Sequence, residues 1–187
     1  MTRTIEAPTT QTISSIRLAH FVLRSARYQE SVQWWKDFLG AHGQFESDFL
    51  TFLTYDEEHH RLAIVNTPKA PASGPKSAGF DHIAFSYDSL EELIANYQRL
   101  QKIGVQPYWC INHGPTTSLY YRDPDGNQAE LQVDNFPTSA ECAAWLRSDA
   151  FRKNPIGVEF DVKVLVEKFY AGIPVAELLK QGSAPLA

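Results

Sequence analysis

The feature that most constrains the fold of this chain is an internal repeat. Each half of residues 15–135 has a strand-like run with a histidine, then an amphipathic helix that stops at a glycine, then further extended runs. The histidines, His20 and His82, are separated by 62 residues, and the glycines, Gly40 and Gly104, by 64. A βαβββ unit cannot cover both faces of its own sheet, so two such units should pair. The repeat therefore predicts an α+β fold, in which two paired βαβββ modules form a curved mixed sheet around a cup.

Hydrophobic periodicity places the elements of each module. The first module (15–66) begins with a strand at 16–24, and its helix has apolar residues at helical spacing, namely Tyr28, Val32, Trp35 and Leu39. Apolar runs follow at 49–55 and 62–65. The second module (79–135) begins with a strand at 80–87 and a helix that starts at a capping-box-like Asp88–Glu91. Its extended runs at 106–111, 117–121 and 128–133 include the turn Asp123-Pro-Asp-Gly126 before the last.

Composition marks the segments outside the modules. Residues 67–78 contain three prolines and no periodicity, which predicts a linker, and residues 1–14 are expected to be a flexible N-terminus. Residues 136–187 form a helical extension, with helices expected at 138–151, at 161–170 and after Pro174. We expect this extension to cover one face of the cup or to form a subunit interface in a homo-oligomer.

Charge and hydropathy exclude several functional classes. The net charge is −5 and no Lys/Arg cluster offsets it, which argues against nucleic-acid binding. No run approaches the roughly 18 apolar residues of a membrane span, and residues 1–15 lack the apolar core of a signal peptide. Only two cysteines are present, which predicts reduced thiols and a cytoplasmic protein.

Polar side chains on one strand face suggest a metal centre. In the last strand Ala129, Leu131 and Val133 alternate with Gln128, Glu130 and Gln132. Glu130 could meet His20 and His82, each expected in the middle of a strand, inside the cup. Two histidines and one carboxylate suit Fe(II), and Mn(II) accepts the same ligands. The alternative is that these histidines are ordinary structural or surface residues.

Two motifs resemble a known enzyme family. The segment 111–130 combines His113, Tyr120, the Asp123–Gly126 turn and Glu130 at spacings similar to the signature of type I extradiol ring-cleaving dioxygenases. These enzymes belong to the vicinal oxygen chelate superfamily, also known as the glyoxalase/bleomycin resistance superfamily. The pair His59-His60 resembles the His-His pair that opens the fourth strand of the family's first module.

The resemblance implies a function and a role for each matched residue. It implies a one-domain, Fe(II)-dependent dioxygenase that opens a catecholic ring beside its hydroxyls with O2. One-ring and two-ring catechols both fit, and the aromatic-rich candidate pocket favours a biphenyl-2,3-diol-like or alkyl-substituted catechol as the substrate. His20, His82 and Glu130 match the metal ligands, and the catalytic residues would be His60, His113 and Tyr120.

Two other functions remain open at this stage. A lyase, isomerase or epimerase of the same superfamily would need four metal ligands, but the first-module position matching Glu130 falls near Ile64, which is apolar. A metal-free binding protein of the resistance type would lack the ligand triad. We expect His42 and His59 to be exposed bystanders, and Tyr121, Trp35 and Cys110 to be packing residues, while Trp109 could belong to core or pocket.

Overall fold

Two βαβββ modules, each with its own sheet, make up the frame of the molecule. The computed structural model describes residues 17–69 and 80–186. The first module contains β1 (Phe21–Ser25), α1 (Tyr28–Leu39), β2 (His42–Glu46), β3 (Leu50–Thr54) and β4 (Leu62–Asn66). The second contains β5 (His82–Tyr87), α2 (Leu90–Lys102), β6 (Trp109–Asn112), β7 (Thr116–Arg122) and β8 (Gln128–Asp134). The predicted α+β class and the repeat are confirmed.

Strand pairing is the same in both modules, but the sheets are separate. The strand orders are β1-β4-β3-β2 and β5-β8-β7-β6-β9, with parallel pairing of β1 to β4 and of β5 to β8. The expectation of one continuous curved sheet was therefore wrong. Within the described residues, β1 and β5 are joined through side chains instead, with the rings of Phe21 and Phe85 6.0 Å apart.

The helices pack on the apolar side of the sheets and form one shared core. Trp35 and Phe38 of α1 are fully buried, and the ring centroids of Phe38 and of Tyr121, in the second module, are 5.2 Å apart. The glycine stops are confirmed, because Gly40 and Gly104 have φ of 64° and 81°, which glycine adopts without steric cost. The N-cap of α2 is Ser89, whose hydroxyl accepts from the amide of Glu92, one residue later than expected.

The first strand starts later than predicted, which moves His20 out of it. Pairing with β4 begins at Phe21, whereas the Arg61 guanidinium binds the carbonyls of Leu18 and Ala19 at 3.0 Å. The Arg61 side chain thus binds carbonyl oxygens that would accept hydrogen bonds from the neighbouring strand if β1 began earlier. His20 precedes β1 and His82 is the first residue of β5, so neither lies in the middle of a strand.

Residues 136–186 form the predicted helical extension, with one unpredicted strand. It contains α3 (Ser139–Leu146), α4 (Asp149–Lys153), β9 (Val158–Glu159), α5 (Val162–Tyr170) and α6 (Val175–Leu178). β9 extends the second sheet by pairing with β6, while Val162 and Leu165 of α5 join the core. No helix in the described ranges is long and apolar enough to cross a membrane. Residues 1–14 and most of the 67–78 linker lie outside the described residues, so the domain boundaries stay predictions.

The Asp123–Gly126 turn ties the modules together. Arg27, the N-cap of α1, supplies no side-chain cap. Asp125 takes this role from the other module: it accepts hydrogen bonds from the hydroxyls of Ser25 and Ser31 and from the amides of Ala26 and Arg27. Partial burial raises the pKa of Asp125, but these hydrogen bonds outweigh it and lower the pKa below its usual range.

Replacing Asp125 by alanine should lower the free energy of unfolding by about 2 kcal/mol at pH 7, since a helix cap and charge-assisted hydrogen bonds are lost. A carboxyl with a lowered pKa in the folded state stabilises the fold above its unfolded pKa and loses this effect as the pH falls. The difference from wild type should therefore shrink below about pH 4. Urea unfolding against pH measures it. Asp134→Ala, at an exposed position, is the control, and an equal loss in both variants would contradict the cap.

Candidate metal and catalytic site

Glu130 lies at the centre of the candidate site. It sits on β8 between Ala84 of β5 and Tyr120 of β7, and is only 4% exposed. Its neighbours Ala129 and Leu131 face the opposite way into the core and are fully buried. The predicted alternation along this strand is confirmed, and it leaves a buried carboxylate on the side away from the helices.

His82 contacts Glu130 in an arrangement that suits a cation. Nε2 of His82 lies 3.1 Å from Oε2 of Glu130, and Nδ1 lies 2.7 Å from Oδ2 of Asp81. If Nδ1 donates its proton to Asp81, then Nε2 turns a lone pair toward a carboxylate, and the two acceptors repel unless a proton or metal ion joins them. Two adjacent ligands at about 2.1 Å from an octahedral metal are separated by roughly 3.0 Å. The pair therefore fits a divalent metal.

Tyr120 lies on the same strand face as Glu130. Its hydroxyl interacts with the Glu130 carboxylate and lies 3.1 Å from Nε2 of His113. Burial, followed by the charge of Glu130, raises the pKa of Tyr120 well above its usual range, so it remains a neutral phenol and a hydrogen donor. Tyr121 points the other way, is fully buried against Phe38, and its hydroxyl has no hydrogen-bond partner among the described residues. The predicted register is confirmed.

His113 follows β6, and its ring lies beside the Tyr120 hydroxyl. Its Nδ1 lies 2.5 Å from the carbonyl oxygen of Ile156, in the C-terminal extension, and its backbone amide donates to Thr116. Trp109 packs beside it, 5.8 Å from the His113 ring and 4.8 Å from the Tyr120 ring. Trp109, which the sequence left undecided, thus lies at the site.

A second group of imidazoles lies in the first module. The rings of His20 and His60 are 4.4 Å apart, and His60 stacks on Phe52 at 4.5 Å. His60 lies just before β4 rather than within it, and His59, which contacts it, is exposed. Burial, then the neighbouring His20 and His59, lowers the pKa of His60, so its ring is neutral at pH 7 and able to accept a proton.

The structure places the predicted ligands in two groups. Within residues 17–69 and 80–186, no three His, Cys, Asp or Glu side chains are close enough together to hold a metal ion. His82 and Glu130 are in contact, whereas the His20 ring packs on His60. A cleft of about 200 Å³ is lined by His20, which is the predicted site residue among its lining side chains, and by Ala84, the strand partner of Glu130.

Trp35, His42 and Cys110 have the environments that the sequence predicts. Trp35 is fully buried in the core and His42 is exposed, as predicted. Burial raises the pKa of the Cys110 thiol to about 12, which makes it a poor nucleophile and agrees with a packing role. The first-module counterpart of Glu130 is Ala63, which pairs with Val22 and lies next to Ile64, near which the sequence placed it. It is apolar, so the first module offers no fourth ligand there.

Sequence reasoning missed two partners at the site. Asp81 orients His82, and its position directly before that histidine was a signal that could have been used. Ile156 acts through its backbone carbonyl, so no side-chain pattern could have revealed it.

Comparisons with known proteins identify the family of this chain. The family model described as Glyoxalase/Bleomycin resistance protein/Dioxygenase superfamily matches residues 17–131. Biphenyl-2,3-diol 1,2-dioxygenase 3 of Rhodococcus globerulus is 43% identical over 164 residues, covering 87% of this chain and 86% of the relative. Biphenyl-2,3-diol 1,2-dioxygenase 2 of the same organism is 42% identical over 160 residues, covering 85% and 84%.

Solved structures match at the level of the fold. The glyoxylase/bleomycin resistance protein/dioxygenase domain from Frankia sp. EAN1pec superimposes with a TM-score of 0.53 at 19% identity, covering 66% of this chain and 99% of that chain. The family match spans most of the chain, both modules share the strand order described above, and the second module carries the buried Glu130. The chain therefore belongs to the glyoxalase/bleomycin resistance protein/dioxygenase superfamily.

Proposed function

We propose that this protein is an extradiol dioxygenase that opens a biphenyl-2,3-diol-like catechol with O2, next to its hydroxyls. The observation that carries the proposal is the line of contacts from His82 through Glu130 and Tyr120 to His113 on one face of the second sheet. The two dioxygenase relatives cover 87% and 85% of this chain, and their activity toward biphenyl-2,3-diol suggests the substrate class.

The metal of this enzyme would be held by His20, His82 and Glu130. The contact between His82 and Glu130 fits a divalent ion, and His20 borders the cleft beside Ala84. Two neutral imidazoles and one carboxylate form the ligand set typical of non-haem Fe(II) oxygenases, which is why we propose Fe(II) ahead of Mn(II). When bound, this metal supplies open positions for the two diol oxygens and for O2.

The chain's own residues would then handle protons around the substrate. His60, which is neutral because its pKa is lowered, can accept a proton from the diol and return it later in the reaction. Tyr120 stays protonated and can donate a hydrogen bond to a substrate oxygen as negative charge develops on it. His113, whose Nε2 contacts the Tyr120 hydroxyl, would be the third polar side chain beside the substrate.

Aromatic side chains support an aryl-substituted substrate. Trp109 packs against Tyr120, and Phe52 stacks on His60, so an aromatic ring flanks each group of polar residues. Rates with biphenyl-2,3-diol, an alkylcatechol and unsubstituted catechol, measured on Fe(II)-loaded protein from the formation of a yellow ring-opened product, test the substrate class. We expect biphenyl-2,3-diol to have the highest kcat/KM, and product from none of the three would overturn the proposal.

The proposal includes a homo-oligomeric enzyme of the cytoplasm. Exposed apolar side chains such as Val22, Phe45 and Phe49 on and beside the first sheet support self-association. Cys110 and Cys142 are both free thiols, as is typical of a reducing compartment.

Tyr120 and Tyr121 provide a matched pair of variants. Tyr120→Phe should remove about 1 to 3 kcal/mol of transition-state stabilisation, a roughly 5- to 150-fold fall in kcat/KM, because the donated hydrogen bond is lost. Tyr121→Phe removes a buried hydroxyl that has no partner among the described residues. It should leave turnover unchanged and stability equal or slightly higher. Steady-state kinetics and thermal melts measure both, and the reverse pattern would show that Tyr121 is the residue facing the substrate.

A further inference from the structure

The C-terminal extension contacts the loop that carries His113. β9 pairs with β6 through Asn112 and Val158, which brings the turn at 154–157 against the loop that follows β6. Asn154 shapes this turn, since its side chain bonds both the amide and the carbonyl of Gly157 at 3.0 and 2.6 Å. The extension is therefore fixed directly beside a residue of the candidate site.

Two glycines permit this close approach. Gly157 has a φ of +116°, and a Cβ there would lie 2.3 Å from the Asn112 carbonyl oxygen and 2.8 Å from the His113 Cα. Gly114 has a φ of +100°, and a Cβ there would lie 2.0 Å from Nε1 of Trp145 in α3. Backbone and indole of the extension thus hold the His113 loop from two sides, at distances that only glycine allows.

The contact with Ile156 determines which ring nitrogen of His113 carries the proton. A carbonyl oxygen can only accept, so Nδ1 of His113 must be the donor in its 2.5 Å contact with Ile156. In the neutral ring Nε2 is then an acceptor, and it lies 3.1 Å from the Tyr120 hydroxyl. The single O–H of Tyr120 thus lies between two acceptors, Nε2 of His113 and the Glu130 carboxylate, and it donates to one of them at a time.

We infer that the turn at 154–157 is a positioning element of the active site, in which the Ile156 carbonyl holds His113 as its Nδ1–H tautomer. The unprotonated Nε2 is thereby directed at the Tyr120 hydroxyl and at the substrate oxygen beside it. The Ile156 side chain takes no part in this contact, and the residue is 60% exposed. The role in turnover rests on the proposed function, whereas the tautomer is a property of the chain itself.

The tautomer can be measured without any activity. Full-length protein with ¹⁵N-labelled histidine and Zn(II) as a diamagnetic metal gives ring ¹⁵N–¹H correlation spectra, with His113 assigned by its absence in His113→Gln. At about pH 8.5, where ordinary histidines are neutral, wild type should show the Nδ1–H form. Gly157→Ala should lose this preference, because the added methyl pushes the turn away from Asn112 and His113. An Nε2–H ring in wild type would overturn the inference.

Kinetics separate positioning from general stability. Gly157→Ala should lower kcat about 10- to 100-fold with little change in KM, the size of effect expected when a proton-handling group is misplaced. Gly172→Ala is the matched control: it also has a positive φ, of +82°, but a Cβ there would meet no atom within 4 Å. It should keep wild-type kcat and the Nδ1–H tautomer.

A milder variant covers the case in which Gly157→Ala does not fold. Asn154→Ala releases the turn without adding atoms, and should shift the tautomer and lower kcat in the same direction. The inference fails if a folded Gly157→Ala or Asn154→Ala keeps both the Nδ1–H ring and full kcat. If wild type shows the Nδ1–H ring but cleaves no diol, the proposed function fails and the positioning of His113 stands.

Discussion

Replacing Glu130 by alanine is expected to abolish metal retention and turnover together. Glu130 is the only carboxylate proposed as a ligand, and it is 4% exposed and in contact with Nε2 of His82. Removing an outer-shell partner already costs metal sites about 10- to 100-fold in affinity, so losing a charged ligand should exceed this loss. Metal analysis after anaerobic purification and dialysis measures it, with thermal melts to confirm folding.

Gln132→Ala is the matched control for Glu130. Gln132 lies two residues further along β8 on the same face, and bonds the Ser86 hydroxyl rather than a proposed ligand. This variant should keep metal and rate. A Glu130→Ala protein that retains stoichiometric metal and full turnover would show that the metal is bound elsewhere.

Replacing His60 by alanine should separate chemistry from binding. His60 is proposed to exchange protons with the diol, whereas His20, His82 and Glu130 hold the metal. The variant should therefore keep its metal and bind diol, but lose turnover by about 10²-fold or more, as expected for removal of a general acid–base group. Single-turnover kinetics together with metal analysis make the distinction.

His59→Ala is the control beside it. The His59 ring packs on His60 at 4.4 Å but is exposed, so its loss should change the rate only slightly. Equal losses from both variants would mean that the His59-His60 pair is structural. Loss of metal from His60→Ala would instead place His60 among the ligands.

Strand alternation was the most reliable guide to the site. Because side chains alternate with a period of two, the pattern around Glu130 and the choice of Tyr120 over Tyr121 followed from the sequence and hold in the structure. Helix ends were predictable for the same local reason, since Gly40 and Gly104 adopt positive φ. The predicted βαβββ order includes β2, but its position was not located because its side chains are mostly exposed, which removes the apolar alternation that marks a strand.

Features that depend on tertiary contacts could not be predicted. His20 lies outside β1 because Arg61, distant in sequence, binds the carbonyls before it. The bond from His113 to Ile156 involves a backbone oxygen 43 residues away, which any residue type would supply. The ring packing of His20 on His60 likewise reflects how the loops meet rather than any spacing in the chain.

Oxygen consumption by the Fe(II)-loaded protein in the presence of biphenyl-2,3-diol is the most direct test of the central claim. We expect equimolar consumption of O2 and diol, with a yellow ring-opened product that Glu130→Ala does not form. Protein that holds iron stoichiometrically yet consumes no O2 and forms no ring-opened product with this diol would contradict it.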